Sequence, residues 1–146
     1  MNQELQNLYQ EVIIDHNNHP CNFRKMEGAT VFAEGYNPMC GDRYIVYLKI
    51  KDDIIEDISF EGEGCAISKA SASIMTSELL GKNIEESLKV FQSVHNMLTD
   101  ESMPGAELDD LGKIAVLSGV RMFPMRVKCA SLAWHAMKSA VFKNHS

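Results

Sequence analysis

Two apolar runs, Tyr44 to Lys51 and Ile54 to Glu61, are separated only by Asp52-Asp53. A connection this short links antiparallel neighbours and nothing else, because parallel strands need a crossover of a dozen or more residues. The first run carries Ile45, Val46, Tyr47, Leu48 and Ile50, and the second carries Ile55, Ile58 and Phe60. Such β-branched and aromatic content around a tight-turn pair reads as a β-hairpin. Thr30 to Ala33 is a shorter strand-like run expected to join it in a small antiparallel sheet. Past Gly64 the period changes to that of a helix. Ile67, Ala70, Ile74 and Met75 mark one face, and Gly81 stands where a helix C-terminal glycine belongs. A second helix is expected from Ile84 to Leu98. Thr99 to Glu107, with Pro104-Gly105, reads as a loop. Leu108 to Val120 is expected to be helical. After Pro124 comes a last helix with an apolar stripe of Ala130, Ala133, Trp134, Met137, Ala140 and Val141. Ahead of the sheet, Leu5, Leu8, Tyr9, Val12 and Ile13 recur at helical spacing and the helix ends before Pro20; a loop follows through Gly28. Strands first and helices after give an α+β fold, a three-stranded antiparallel sheet packed against helices on one face. Trp134 and the methionines are expected to fill the core.

The 146 residues, 45% hydrophobic and 23% charged, fit one folded domain spanning 1–146. A domain this long buries roughly two-thirds of its unfolded surface, so a metal is not needed merely to supply a core. The net charge of −6 argues against a nucleic-acid partner, which calls for a basic face. No run approaches the roughly 18 apolar residues of a membrane span. Met1 to Gln10 is polar, carries Glu4 and lacks a basic cluster, unlike a signal or transit peptide. The expected setting is therefore the reducing cytoplasm, where four cysteines point to metal or sulfur chemistry rather than disulfides.

Three of those cysteines sit at breaks in the pattern. Cys40 lies in Asn37-Pro38-Met39-Cys40-Gly41-Asp42, a turn entering a strand. Cys65 lies in Gly62-Glu63-Gly64-Cys65-Ala66, where sheet gives way to helix. Cys129 lies in Arg126-Val127-Lys128-Cys129-Ala130, early in the last helix. A helix N-terminus favours the thiolate, the form that ligates metal and attacks sulfur. None of these spacings is a CxxC zinc pattern. Spacing alone leaves a metal site, ordinary buried thiols and a redox or nucleophilic cysteine all open. Asp42 can ligate the same ion as Cys40 or can simply shape the turn by bonding backbone N–H groups.

The motifs taken together resemble a known family. Leu8-Tyr9-Gln10-Glu11-Val12-Ile13 followed by Asp15-His16, then Asn37 to Asp42, then Gly64-Cys65-Ala66-Ile67-Ser68-Lys69-Ala70-Ser71-Ala72-Ser73, then Arg126 to His135 occur in the order seen in U-type iron–sulfur assembly proteins. Within the IscU/NifU N-terminal family the chain resembles the SufU branch. The resemblance runs over essentially the whole chain and implies a three-stranded antiparallel sheet covered by helices. It also implies metal ligation by Cys40, Asp42, Cys65 and Cys129. In IscU-like scaffolds a histidine directly precedes the third cysteine, whereas this chain has Lys128, whose ammonium has no lone pair to offer. Asn96 to Phe123 looks like the extra stretch of SufU-type proteins. Pro20-Cys21-Asn22 departs from the family, which usually carries a basic residue in the middle position, and Cys21 is expected to be a spectator.

Three thiolates and a carboxylate suit Zn²⁺ in a tetrahedral site, and thiolates also suit iron or a [2Fe–2S] cluster. Arg126 is the favoured donor to a ligating sulfur, and Lys128 or Arg43 could also offset the negative charge of such a site. The resemblance implies a pyridoxal-phosphate cysteine desulfurase as partner, with Cys40 as the acceptor of its persulfide sulfur. Downstream cluster-assembly or acceptor proteins would follow. The chain is then a zinc-dependent sulfurtransferase, if it is an enzyme at all. The competing readings are a scaffold on which a [2Fe–2S] cluster is built and transferred, and a protein with a purely structural zinc. The histidines are expected to be structural. His16 and His19 cap or follow the first helix, and His95 and His145 lie on the surface. His135 is about 240° around the last helix from Cys129 and off its face.

Overall fold

A computed structural model describes residues 3–99 and 112–144, apart from the side chains of 3–6, 8 and 122. Helix α1 (Gln3–Asn18) leads into strands β1 (Val31–Asn37), β2 (Asp42–Lys51) and β3 (Ile54–Glu63). Helices α2 (Ala66–Leu79) and α3 (Ile84–Thr99), a 3-10 helix (Gly112–Met122) and α4 (Pro124–Asn144) follow. The fold is α+β, with a three-stranded antiparallel sheet in the order β1-β2-β3. The expected loop through Pro104-Gly105 and the start of the helix expected at Leu108 lie outside the described residues, as does His145. From Gly112 onward the predicted helix takes the tighter 3-10 form.

Asp52 and Asp53 both adopt positive φ, 53° and 65°. Positive φ at both central residues is the mark of a type I′ turn, whose twist matches that of the strands it joins. The hairpin register pairs Tyr44 with Gly62, Val46 with Phe60 and Leu48 with Ile58. Period-two alternation puts Tyr44, Val46, Leu48, Ile58 and Phe60, all fully buried, on one face. That face meets α2 and α4, whose Ala72, Met75, Ala130, Ala133, Trp134 and Met137 complete the core. Trp134 Nε1 donates to Ser71 Oγ at 3.0 Å, so the polar tip of the largest core residue is satisfied. Both β1 and β2 run longer toward their shared turn than the apolar pattern suggested. Asn37 and Asp42 pair as the closing rung.

The helix ends follow the sequence. Helix α2 stops in a turn in which Lys82 N donates to Leu79 O at 3.0 Å and Gly81 takes φ 87°, the conformation glycine is used for. Pro124 occupies the first helical position of α4, where its missing N–H costs nothing. Helix α1 packs on the outside of α2 through a polar seam. His16, near the C-terminal end of α1, is buried and its Nδ1 lies 2.7 Å from Ser73 Oγ, which also accepts from Cys21 N at 2.7 Å. His16 is thus a packing residue between helices, beyond the capping role expected of it. It extends the Tyr9, Val12, Ile13 stripe by one turn. Met75, Met97 and Met137 are core as expected, but Met39 and Met125 are exposed by 68% and 65%.

Candidate metal centre

The β1–β2 connection carries Cys40. Gly41 N donates back to Asn37 O at 2.9 Å, and Gly41 takes φ 72°, which closes the turn and brings Asp42 in as the first residue of β2. Asp42 shares the inner sheet face with Tyr44 two residues on, so its carboxylate is turned inward and is fully buried. Cys129, in the second turn of α4, is also fully buried. Its Sγ donates to Cys40 Sγ at 3.3 Å, and Asn37 Nδ2 approaches it at 3.9 Å. Cys40, Asp42 and Cys129 each offer a ligand atom, all within 4.8 Å of one another.

Cys65 stands beside this group and is not one of the three. It is the N-cap of α2, its sulfur accepting from Ser68 N at 3.5 Å, which satisfies an open donor of the helix's first turn. It connects to the cluster through its backbone, Cys65 N donating to Asp42 Oδ1 at 2.8 Å. The sulfur is nevertheless close enough for its charge to be felt at Tyr44, Arg126 and Cys129.

The carboxylate is held asymmetrically. Oδ1 accepts from Cys65 N and from Ser68 Oγ at 3.2 Å, and Ser68 Oγ lies 3.1 Å from Tyr44 Oη. Oδ2 is buried with no hydrogen-bond partner. Gly64 makes this packing possible, since a Cβ there would stand 2.4 Å from Asp42 Oδ1, 2.6 Å from Ser68 Oγ and 2.8 Å from Tyr44 Oη. Burial raises the Tyr44 pKa to about 12, with the charges of Asp42, Cys65 and Cys129 adding to the rise and the contact with Ser68 opposing it. Burial pushes the Cys129 thiol well above its ordinary value, helped by its bond to Cys40 and by the nearness of Asp42 and Cys65. Arg126 is exposed, and interaction with the Cys129 sulfur, together with the charges of Cys65, Cys129 and Cys40, raises its pKa. Lys128 is exposed and lines a cleft of about 180 Å³ with Asn37, Met39, Cys40, Pro124 and Met125. Arg43 points to the opposite sheet face, paired with Glu34 at 3.1 Å and lying over the Tyr36 ring, so it is committed away from the thiols.

Cys21 is half-buried at the α1 exit, its backbone tied to Ser73 and Thr76 of α2, outside the cluster. His135 is exposed and packs against Phe91 and His95. Tyr44 and Ser68 went unnoticed in the sequence, although two signals mark them. Tyr44 follows Asp42 by one strand period, and Ser68 follows the capping Cys65 by three residues, where an N-cap's partner sits.

The donor set can hold a metal ion. A buried carboxylate oxygen without a donor is costly, and a cation is one of the few groups that relieves it. Two thiols within reach of that carboxylate, and a third on the adjoining cap, are the sulfur-rich environment that soft and borderline divalent ions prefer.

The family model for the NifU-like N terminal domain matches residues 8–130. The chain is 43% identical over 145 residues to a zinc-dependent sulfurtransferase, SufU, of Bacillus subtilis, covering 97% of this chain and 95% of that one. It is 38% identical to an iron–sulfur cluster assembly scaffold protein, IscU, of Streptococcus pyogenes, covering 94% and 85%. Among solved structures, a candidate scaffold protein for the SUF system from Fervidobacterium islandicum superposes with a TM-score of 0.83 at 34% identity, covering 95% and 98%. Among the described residues no helix is long and apolar enough to cross a membrane.

Proposed function

The chain belongs to the NifU-like N-terminal domain family, and from that premise we propose that it serves iron–sulfur cluster assembly as a zinc-dependent acceptor of persulfide sulfur. The observation that carries this proposal is the Cys40–Asp42–Cys129 cluster, in which two sulfurs lie 3.3 Å apart and a carboxylate oxygen is buried without a partner. Cys40, Asp42, Cys65 and Cys129 would hold the zinc, with Cys65 turning from its capping bond to do so. Bound zinc would keep the thiols deprotonated and protected from oxidation.

Cys40 would be the reacting thiol, and its exposure supports that role. It is half-buried on a turn and lines the open cleft, whereas Cys129 is fully enclosed. A partner cysteine desulfurase, which carries its own pyridoxal phosphate, presents a protonated persulfide on its cysteine. The Cys40 thiolate attacks the outer sulfur. A bond forms between Cys40 Sγ and that sulfur, the partner's sulfur–sulfur bond breaks, and its cysteine leaves as a thiolate. The proton stays on the transferred sulfur, and no oxidant or reductant is needed. Arg126 would balance the anionic sulfurs, whose charges already raise its pKa, and Lys128 adds a second cation at the rim.

The test is anaerobic incubation with a cysteine desulfurase and cysteine, followed by intact-mass analysis and thiol mapping. One added sulfur on Cys40, lost in Cys40→Ser and in the zinc-stripped protein, is expected. Sulfur appearing on Cys21 instead, or transfer unaffected by zinc removal, would refute the assignment. The second reading is a [2Fe–2S] scaffold, favoured by the name borne by the Streptococcus relative and by the thiolate-rich donors. Lys128 weighs against it because it cannot ligate. Iron content and a visible cluster spectrum after reconstitution distinguish the two.

A further inference from the structure

We infer that Ser68 and Tyr44 are positioning residues that occupy one oxygen of Asp42 and so confine metal binding to the other. This rests on the reading of the cluster as a metal centre.

Each hydroxyl has a single hydrogen to give. Tyr44 is fully buried and its Oη bonds to Ser68 Oγ, 3.1 Å away. A buried phenol that left its hydrogen unused would carry a full desolvation penalty, so Tyr44 gives its hydrogen to Ser68. The hydrogen of Ser68 is then free for its own acceptors, Asp42 Oδ1 at 3.2 Å and Cys65 O at 2.9 Å. Oδ1 also takes the Cys65 N–H at 2.8 Å. Oδ1 is thereby met by the full Cys65 N–H donor and by a share of the Ser68 hydrogen, while Oδ2, equally buried, has no hydrogen-bond partner.

A carboxylate held this way presents one oxygen to an ion. Binding through Oδ2 alone completes a four-coordinate site with three thiolates. Binding through both oxygens would make it five-coordinate, and would require Oδ1 to give up bonds in a place no water can reach. The same bonds tie the carboxylate to the N-terminus of α2, so Asp42 and Cys65 move as a unit. Gly64 keeps the three oxygens packed together.

The test uses cobalt(II), a visible stand-in for zinc, with wild type, Asp42→Ala, Ser68→Ala, Ser68→Thr and Tyr44→Phe. Sulfur-to-cobalt charge transfer reports the thiolates, and the intensity of the d–d bands separates four from five coordination. Wild type is expected to show the intense four-coordinate spectrum. Ser68→Ala should weaken the d–d bands and lower zinc affinity roughly 10–100-fold, the usual cost of losing a group that orients a ligand. Tyr44→Phe, which keeps the ring in the core, should shift both in the same direction by less. Ser68→Thr should restore the wild-type spectrum. If Ser68→Ala does not fold, Tyr44→Phe still decides. Variants that lose thermal stability but keep the wild-type spectrum and affinity would overturn the inference and leave the metal centre standing. Absence of charge transfer in the wild type would bring down the metal centre and this inference together, whereas an Asp42→Ala spectrum identical to the wild type would overturn the inference and leave a thiolate centre standing.

Discussion

Gly64→Ala is the sharpest perturbation the site offers. The added methyl would lie 2.4, 2.6 and 2.8 Å from Asp42 Oδ1, Ser68 Oγ and Tyr44 Oη, all well inside contact distance. None of the three can step aside alone. They are bonded to one another and belong to residues that are 0%, 1% and 0% exposed. Something must open, and the weakest links are the Ser68–Asp42 and Tyr44–Ser68 bonds. Losing two buried hydrogen bonds at about 1 kcal/mol each, plus about 1–3 kcal/mol of overpacking, offset by about 0.4–1 kcal/mol from a stiffer unfolded chain, leaves a net loss of about 2–4.6 kcal/mol. For a chain of this size that is a fall in Tm on the order of 6–15 °C. Thermal and urea denaturation should be run on chelated protein, so that metal linkage does not mask the steric effect. Zinc competition on the loaded protein should show weaker binding as well, because the methyl pushes on the metal-facing carboxylate. Gly41→Ala is the control. Its Cβ would meet nothing within 4 Å, and the cost is only the positive φ of 72°, about 1 kcal/mol. A Gly64→Ala protein that melts within about 2 °C of wild type, or no lower than Gly41→Ala, would refute the packing argument.

Other outcomes follow from the same structure. Asp53→Gly should raise stability by up to about 1 kcal/mol in urea melts without changing zinc affinity, because it relieves a positive φ in the hairpin turn far from the thiols. His16 has its pKa lowered by burial and then by Lys113, against the opposing pull of Asp15. The unfolded chain therefore binds the proton more readily than the folded one. Stability from this residue is complete above the unfolded value near 6.5 and falls as pH drops from there toward the folded value. His16→Gln should flatten the pH dependence of Tm in that window, leaving the part owed to His135, which is shifted the same way by burial, His95 and Lys138. Chelation of the zinc-loaded protein should lower Tm while leaving a cooperative transition, since the core does not depend on the ion; Cys21→Ser should match wild type in both states.

The fold was legible wherever periodicity was strong. The hairpin, the change of period at Gly64 and the alanine-rich stripe of α4 each left a pattern that only one element satisfies. Strand ends were less legible because the closing rung, Asn37 opposite Asp42, is made of polar residues that the apolar pattern passes over. The 3-10 helix was read simply as helical, since Ile114 to Leu117 and Val120 are all buried and a run buried on every side carries no period. His16 lies in the last turn of α1 as a structural residue, as expected, but its burial against α2 comes from a position that continues the apolar stripe.

At the metal centre, sequence and structure differ over Cys65, and the difference is chemically informative. Motif spacing treats the cysteines as equivalent. The fold does not. Cys40 rides a hairpin turn, Cys129 is fixed inside α4, and Cys65 caps α2 with its sulfur on Ser68 N. A thiol that already has a partner can be given to a metal only if that bond is exchanged for a better one. Zinc–thiolate binding is strong enough for that exchange, but the helix start then loses a cap worth about 1 kcal/mol. Ser68 is placed to limit the loss. Its hydroxyl accepts from Tyr44, bonds to Asp42 and stands 3.7 Å from the Cys65 sulfur, so the first turn of α2 stays anchored to the sheet when the sulfur turns. On this account Cys65 and Asp42 are a linked pair, one on the helix and one on the strand.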